Sequence, residues 1–164
     1  MSEHCILIVE DQEDLAELYE SSLKKAGYQV RIAYTGEEGI AEFKTGGADA
    51  ILLDMTLPEM HGSQVLREIR ALDAGVPVIV ITGEENEQLR AQCERLGVHD
   101  YLSKPVDYDL MLKAIRHALE TPAEAAEIIT LRLPSRVIQK LQEIDTNLER
   151  AITKLCEEIS VGED

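Results

Sequence analysis

Apolar residues along the first 120 positions follow two alternating arrangements. Short, nearly unbroken runs have the length and branched content of strands: "CILIV" (5–9), "YQVRIA" (28–33), "ADAILLD" (48–54), "VPVIVIT" (76–82) and "VHDYLS" (98–103). Between them, segments 13–27, 36–45, 62–72, 85–97 and 107–120 carry apolar residues at the spacing of one helix face. Gly27 and Gly97 stand where two of these helices should stop, because glycine accepts the left-handed backbone that closes a helix. Five strand–helix repeats predict an α/β fold, a doubly wound five-stranded parallel sheet. Runs that are apolar throughout suit strands covered on both faces.

Ligands of such sheets bind beyond the carboxyl ends of the strands. Glu10 and Asp11 follow the first strand, Asp54 the third, Thr82 the fourth and Lys104 the fifth, while the second offers only Tyr34 and Thr35, as an edge strand would. Glu10 or Asp11 alone could cap the next helix, but capping does not explain complementary groups at four of five strand ends. Crowded carboxylates repel one another unless a cation joins them. An all-oxygen set without thiolate or imidazole favours a hard ion that keeps several waters, for which Mg²⁺ is the natural candidate. One oxygen of Asp54 is then free to attack phosphorus, because Mg²⁺, Lys104 and Thr82 can share the equatorial oxygens of a phosphoryl group. Asp54 is the expected nucleophile and phosphate acceptor, with Gly83 leaving room beside Thr82.

Composition narrows the class. The 164 residues, 45% hydrophobic, suffice for one full core and a small second unit. The longest apolar runs, such as "VPVIVI" at 76–81, fall far short of a membrane span. The start "MSEHCILIVED" lacks the basic opening of a signal peptide, so a cytoplasmic location without membrane contact is expected. Cys5, Cys93 and Cys156 are too few and too scattered for a disulfide framework or a thiolate zinc site, and are expected as buried or half-buried thiols. The net charge of −16 argues against nonspecific binding to nucleic acid or anionic lipid. The charge is uneven, however: between Ile128 and Cys156 five basic residues face three acidic ones.

The acidic pair in "VED", then "LLDMTLPEMHG", "VIVITG" and "YLSKP", resemble in order and spacing the receiver domains of two-component response regulators over residues 3–120. The resemblance implies a flavodoxin-like fold and an Mg²⁺ site of Glu10, Asp11, Asp54 and the backbone carbonyl of Thr56. It also implies a phosphoryl-binding Lys104 with a cis bond to Pro105, and a switch pair in Thr82 and Tyr101. His61 departs from the pattern, standing where the family often has an acid. Other readings fit less well. Phosphohydrolases of similar topology carry a second acid where this chain has Thr56, and a nucleotide-binding first loop needs glycines that "VEDQED" lacks. His4, His61, His99 and His117 show no metalloprotease spacing and read as surface or packing residues.

After a linker at 121–126, segment 127–164 reads as strand, helix, helix. "IITLRL" alternates, Pro134 and Ser135 start a helix with Val137, Ile138, Leu141 and Ile144 apolar, and a second carries Leu148, Ile152, Leu155 and Ile159. One copy cannot bury this surface alone and two could, so a homodimer is expected. The segment resembles the ribbon-helix-helix repressors, which implies that Thr130 and Arg132 face DNA bases and that amides near Asn147 hold a phosphate. The expected function is a response regulator rather than an enzyme. Asp54 takes phosphate from a sensor histidine kinase or phosphotransfer protein, self-phosphorylates from small donors with Mg²⁺ and loses phosphate slowly. A dimeric ribbon-helix-helix-like output then binds DNA to regulate transcription. The alternative is a regulator working through protein contacts, its C-terminal unit a dimeriser or docking module; a freestanding phosphorelay shuttle leaves that unit without purpose.

Overall fold

The computed structural model describes residues 4–84 and 86–121. In chain order the elements are β1 (Cys5–Val9), α1 (Glu13–Lys25), β2 (Gln29–Ala33), α2 (Gly36–Gly46), β3 (Ala50–Leu53), α3 (Gly62–Leu72), β4 (Val78–Thr82), α4 (Glu87–Arg95), β5 (Asp100–Ser103) and α5 (Tyr108–Glu120). All strand pairings are parallel, in the order β2-β1-β3-β4-β5, so β2 does lie at an edge. The linker at 121–126, apart from Thr121, and the expected ribbon-helix-helix unit, with Thr130, Arg132 and Asn147, lie outside the described residues.

Alternation along each strand sorts the core into two layers. Leu7, Val9, Ile51, Leu53, Val78 and Val80 pack with α2, α3 and α4 through Phe43, Leu66, Ile69, Leu89 and Cys93. Ile6, Ile8, Leu52, Ile79, Ile81 and Leu102 pack with α1 and α5 through Ala16, Tyr19, Leu23, Met111 and Ile115. Gly27 (φ 93°) and Gly97 (φ 68°) take the left-handed conformation expected just past α1 and α4. Thr35, Asn86 and Asp107 cap α2, α4 and α5 by accepting backbone N–H groups of the first turn. Cys5 is half-buried and Cys93 buried, both as free thiols. No helix among the described residues is long and apolar enough to cross a membrane.

Candidate functional site

The sheet ladder fixes the backbone on which the site is built. Glu10 N–H donates to the Ala33 carbonyl (3.1 Å), Asp54 N–H to that of Val9 (3.0 Å) and Lys104 N–H to that of Thr82 (2.8 Å). Three residues just past β1, β3 and β5 are thus pinned to neighbouring strands, and their side chains gather at one rim.

Glu10 and Asp54 are 2% and 3% exposed, an expensive placement for two acids unless paired. Lys104 Nζ supplies the pairing, donating to Glu10 Oε2 and Asp54 Oδ2, each at 2.7 Å. The other Asp54 oxygen, Oδ1, accepts the Thr56 N–H (2.9 Å), and Glu10 Oε1 accepts the Gln12 N–H (3.2 Å). Burial pushes the Glu10 carboxyl above its usual value, against the opposing hydrogen bond from Lys104. For Lys104, burial pulls the ammonium down, but the hydrogen bonds to Asp54 and Glu10 outweigh it and the net shift is upward. Neither Glu10 nor Asp11 caps α1, whose N-cap is Gln12, so capping does not account for the acidic pair.

Ligand oxygens of Glu10, Asp11 and Asp54 lie within 4.8 Å of one another. Among the described residues, Asp11 Oδ1 is the buried side-chain atom left without a hydrogen-bond partner. An orphaned carboxylate oxygen beside two more carboxylates is a donor set that fits a hard divalent cation. Glu10, Asp11 and Asp54 would hold Mg²⁺, and Thr56 is adjacent, its backbone already bonded to Asp54.

Thr82 ends β4 almost fully buried, and its Oγ1 accepts the Glu84 N–H (3.1 Å). Tyr101, in β5, packs against the layer that holds α3 and α4, and its hydroxyl donates to the Glu84 carbonyl (3.0 Å). The expected switch pair therefore meets on the backbone of Glu84, a residue with no role in the sequence reading. Beside Gly83 the space is open: an added methyl would meet nothing nearer than Lys104 Cβ at 3.9 Å. The Lys104–Pro105 bond is cis.

Two features at the rim had only weak sequence signals. His61 is the N-cap of α3: its Nδ1 accepts the Ser63 N–H (3.2 Å), and its Nε2 lies 3.5 Å from Glu84 Oε2, joining the loops after β3 and β4. At Gly62, a Cβ would collide with the Asp54 carbonyl and approach Met55 Cα to 2.6 Å, so only glycine lets this loop lie on the strand that presents Asp54.

Comparison with known proteins gives a consistent picture. The model of the response regulator receiver domain matches residues 6–116. The chain is 35% identical over 142 residues to the uncharacterized transcriptional regulatory protein YkoG of Bacillus subtilis, covering 85% of this chain and 62% of that protein. It is 37% identical over 119 residues to the sensory transduction protein RegX3 of Mycolicibacterium smegmatis, covering 73% and 52%. The chain thus spans less than two thirds of the length of these curated relatives. Among solved structures, a CheY-like receiver domain protein of Methanospirillum hungatei superposes with a TM-score of 0.71 at 30% identity, covering 73% of this chain and 95% of that one. With its rim of acids and lysine on a five-stranded parallel sheet, and more than half its length matched by the family model, the chain belongs to the response regulator receiver family.

Proposed function

We propose that this protein is a two-component response regulator in which Asp54 accepts a phosphoryl group from a sensor histidine kinase or phosphotransfer protein. The observation that carries the reading is the setting of the Asp54 carboxylate. It is 3% exposed, held at Oδ1 by the Thr56 amide and at Oδ2 by Lys104, and flanked by two further acids. That geometry holds the carboxylate in one orientation and so fixes the direction of attack. An Asp54 oxygen forms the new P–O bond as the donor's P–N bond breaks, and the leaving imidazole takes up a proton. Bound Mg²⁺ supplies charge neutralisation for the crowded carboxylates and the phosphoryl oxygens. Lys104 follows the negative charge onto the phosphoryl group, Thr82 turns its hydroxyl from the Glu84 amide to a phosphoryl oxygen, and Tyr101 responds through the shared Glu84 backbone. The protein is a phosphoacceptor with slow self-dephosphorylation rather than a turnover enzyme.

The output belongs to the same proposal. Segment 127–164 forms a dimeric ribbon-helix-helix-like unit that reads DNA through Thr130 and Arg132 and holds phosphate near Asn147, acting on transcription in the cytoplasm. Support comes from the local basic excess between Ile128 and Cys156 and from relatives named as transcriptional regulatory proteins. Acetyl phosphate with Mg²⁺ is expected to add one phosphoryl group, detected by intact mass, and Asp54→Asn to abolish it; stoichiometric labelling of Asp54→Asn removes Asp54 from its role. For the output, a genomic-fragment selection with phosphorylated and unphosphorylated protein should enrich a palindromic site. Arg132→Ala should weaken binding to it by about 1 to 3 kcal/mol per base contact. No enriched site, or unchanged binding by Arg132→Ala, transfers the output to the protein-docking alternative.

A further inference from the structure

Far from the carboxylate rim, two imidazoles meet. His99 lies just before β5, its N–H donating to the carbonyl of Val78 (2.7 Å) at the start of β4, and so sits at the opposite end of the sheet from Asp54. His117 lies in the last turn of α5. His99 Nε2 and His117 Nδ1 are 3.0 Å apart, with ring centroids separated by 5.0 Å and planes inclined at 50°. The other described histidines are engaged elsewhere, His4 facing Asp49 and His61 facing Ser63 and Glu84.

At this distance the two rings have two options. One can donate its N–H to the other's lone pair, which requires the accepting ring to be neutral. Or both can turn lone pairs to one ion. Two nitrogens each about 2.0–2.1 Å from a metal, at angles of about 90–110°, lie about 2.8–3.4 Å apart, so the observed separation already falls within that span. His99 is half-buried and His117 exposed, which leaves water a path to the remaining coordination positions. Asp100, adjacent to His99, adds a carboxylate charge nearby. Imidazole nitrogen selects borderline transition metals over Mg²⁺, the reverse of the all-oxygen rim.

We propose that His99 and His117 form a second metal site, binding one zinc-class transition-metal ion through His99 Nε2 and His117 Nδ1, with water completing the coordination. The ion bridges the start of β5 to the end of α5, through residues 18 apart in sequence, and therefore stabilises the docking of α5 on the sheet.

The test is zinc titration of the full chain by calorimetry in excess Mg²⁺, which keeps the carboxylate rim filled, with thermal unfolding measured alongside. The wild-type protein should bind one Zn²⁺ per chain and gain thermal stability from it. His99→Gln and His117→Gln should each weaken binding by more than the roughly tenfold lost when only a supporting group is removed, and should lose the zinc-dependent rise in melting temperature. Either glutamine variant that folds suffices, since each removes one of the two ligands. The proposal is overturned if wild type binds no Zn²⁺. It is equally overturned if both variants bind as wild type does, or if binding survives both changes and disappears on Asp11→Asn, which places the ion at the carboxylate rim.

Discussion

Lys104 carries the electrostatic balance of the rim. Its ammonium is the cation seen between Glu10 and Asp54, and it compensates two nearly buried carboxylates. Truncation leaves those acids facing each other, and breaking a buried pair by removing one partner costs about 3 kcal/mol or more. Lys104→Ala should therefore lower unfolding free energy by about that amount in Mg²⁺-free urea titrations. Added Mg²⁺ should recover most of the loss, because Glu10, Asp11 and Asp54 can share a replacement cation. A variant whose stability ignores Mg²⁺ would count against the three-acid site.

Between elements, Arg70 braces positions far apart in sequence. From the last turn of α3 its Nε donates to the Leu96 carbonyl (2.8 Å), Nη2 to Gly97 (2.8 Å) and Nη1 to Val76 (2.7 Å). One guanidinium thus satisfies carbonyls left over at the end of α4 and ties them to the residues leading into β4. Arg70→Ala is expected to cost about 2 to 3 kcal/mol in chemical denaturation and to speed amide exchange in α4. Arg70→Lys should recover only part, since an ammonium cannot reproduce the planar fork. Nothing in the sequence announces this brace, because its partners are backbone atoms, two of them 26 and 27 residues away. The strands and the acids and lysine at their ends were legible because doubly buried strands leave continuous apolar runs, and the residue after each run falls at the rim. Strand starts were less so. Runs expected from 48, 76 and 98 become regular strand only at Ala50, Val78 and Asp100; Pro77 has no N–H to donate, and Asp49 accepts the Cys5 N–H with its carboxylate. The His99–His117 pair was hidden for the same reason as Arg70: periodicity places each residue on its element and says nothing of which elements meet there.

The molecule as a whole should have a bounded pH range of stability. Burial, with the neighbouring His117 adding to it, holds His99 below its ordinary value of 6.5. As pH falls below 6.5 the unfolded chain therefore binds a proton that the folded chain resists, and stability declines. Tyr19, buried beside Tyr108, is pushed from 10.0 up to about 12 by burial, so above pH 10 the unfolded chain loses a proton that the folded chain keeps, and stability declines again. The alkaline loss attributable to Tyr19 approaches about 2 kcal/mol by pH 12. Urea unfolding across pH should show a plateau between these limits, and Tyr19→Phe should flatten its alkaline side; an unchanged alkaline limb assigns that loss to other groups. The division of the core into two layers has a further consequence. Each strand sends alternate side chains to opposite helical faces, so residues packing α1 and α5 are a different set from those packing α2, α3 and α4. Over evolutionary time, substitutions that remake one face leave the other's packing intact. The rim at the strand ends is carried by residues outside both sets, Glu10, Asp54 and Lys104 among them, and can stay constant while either face changes.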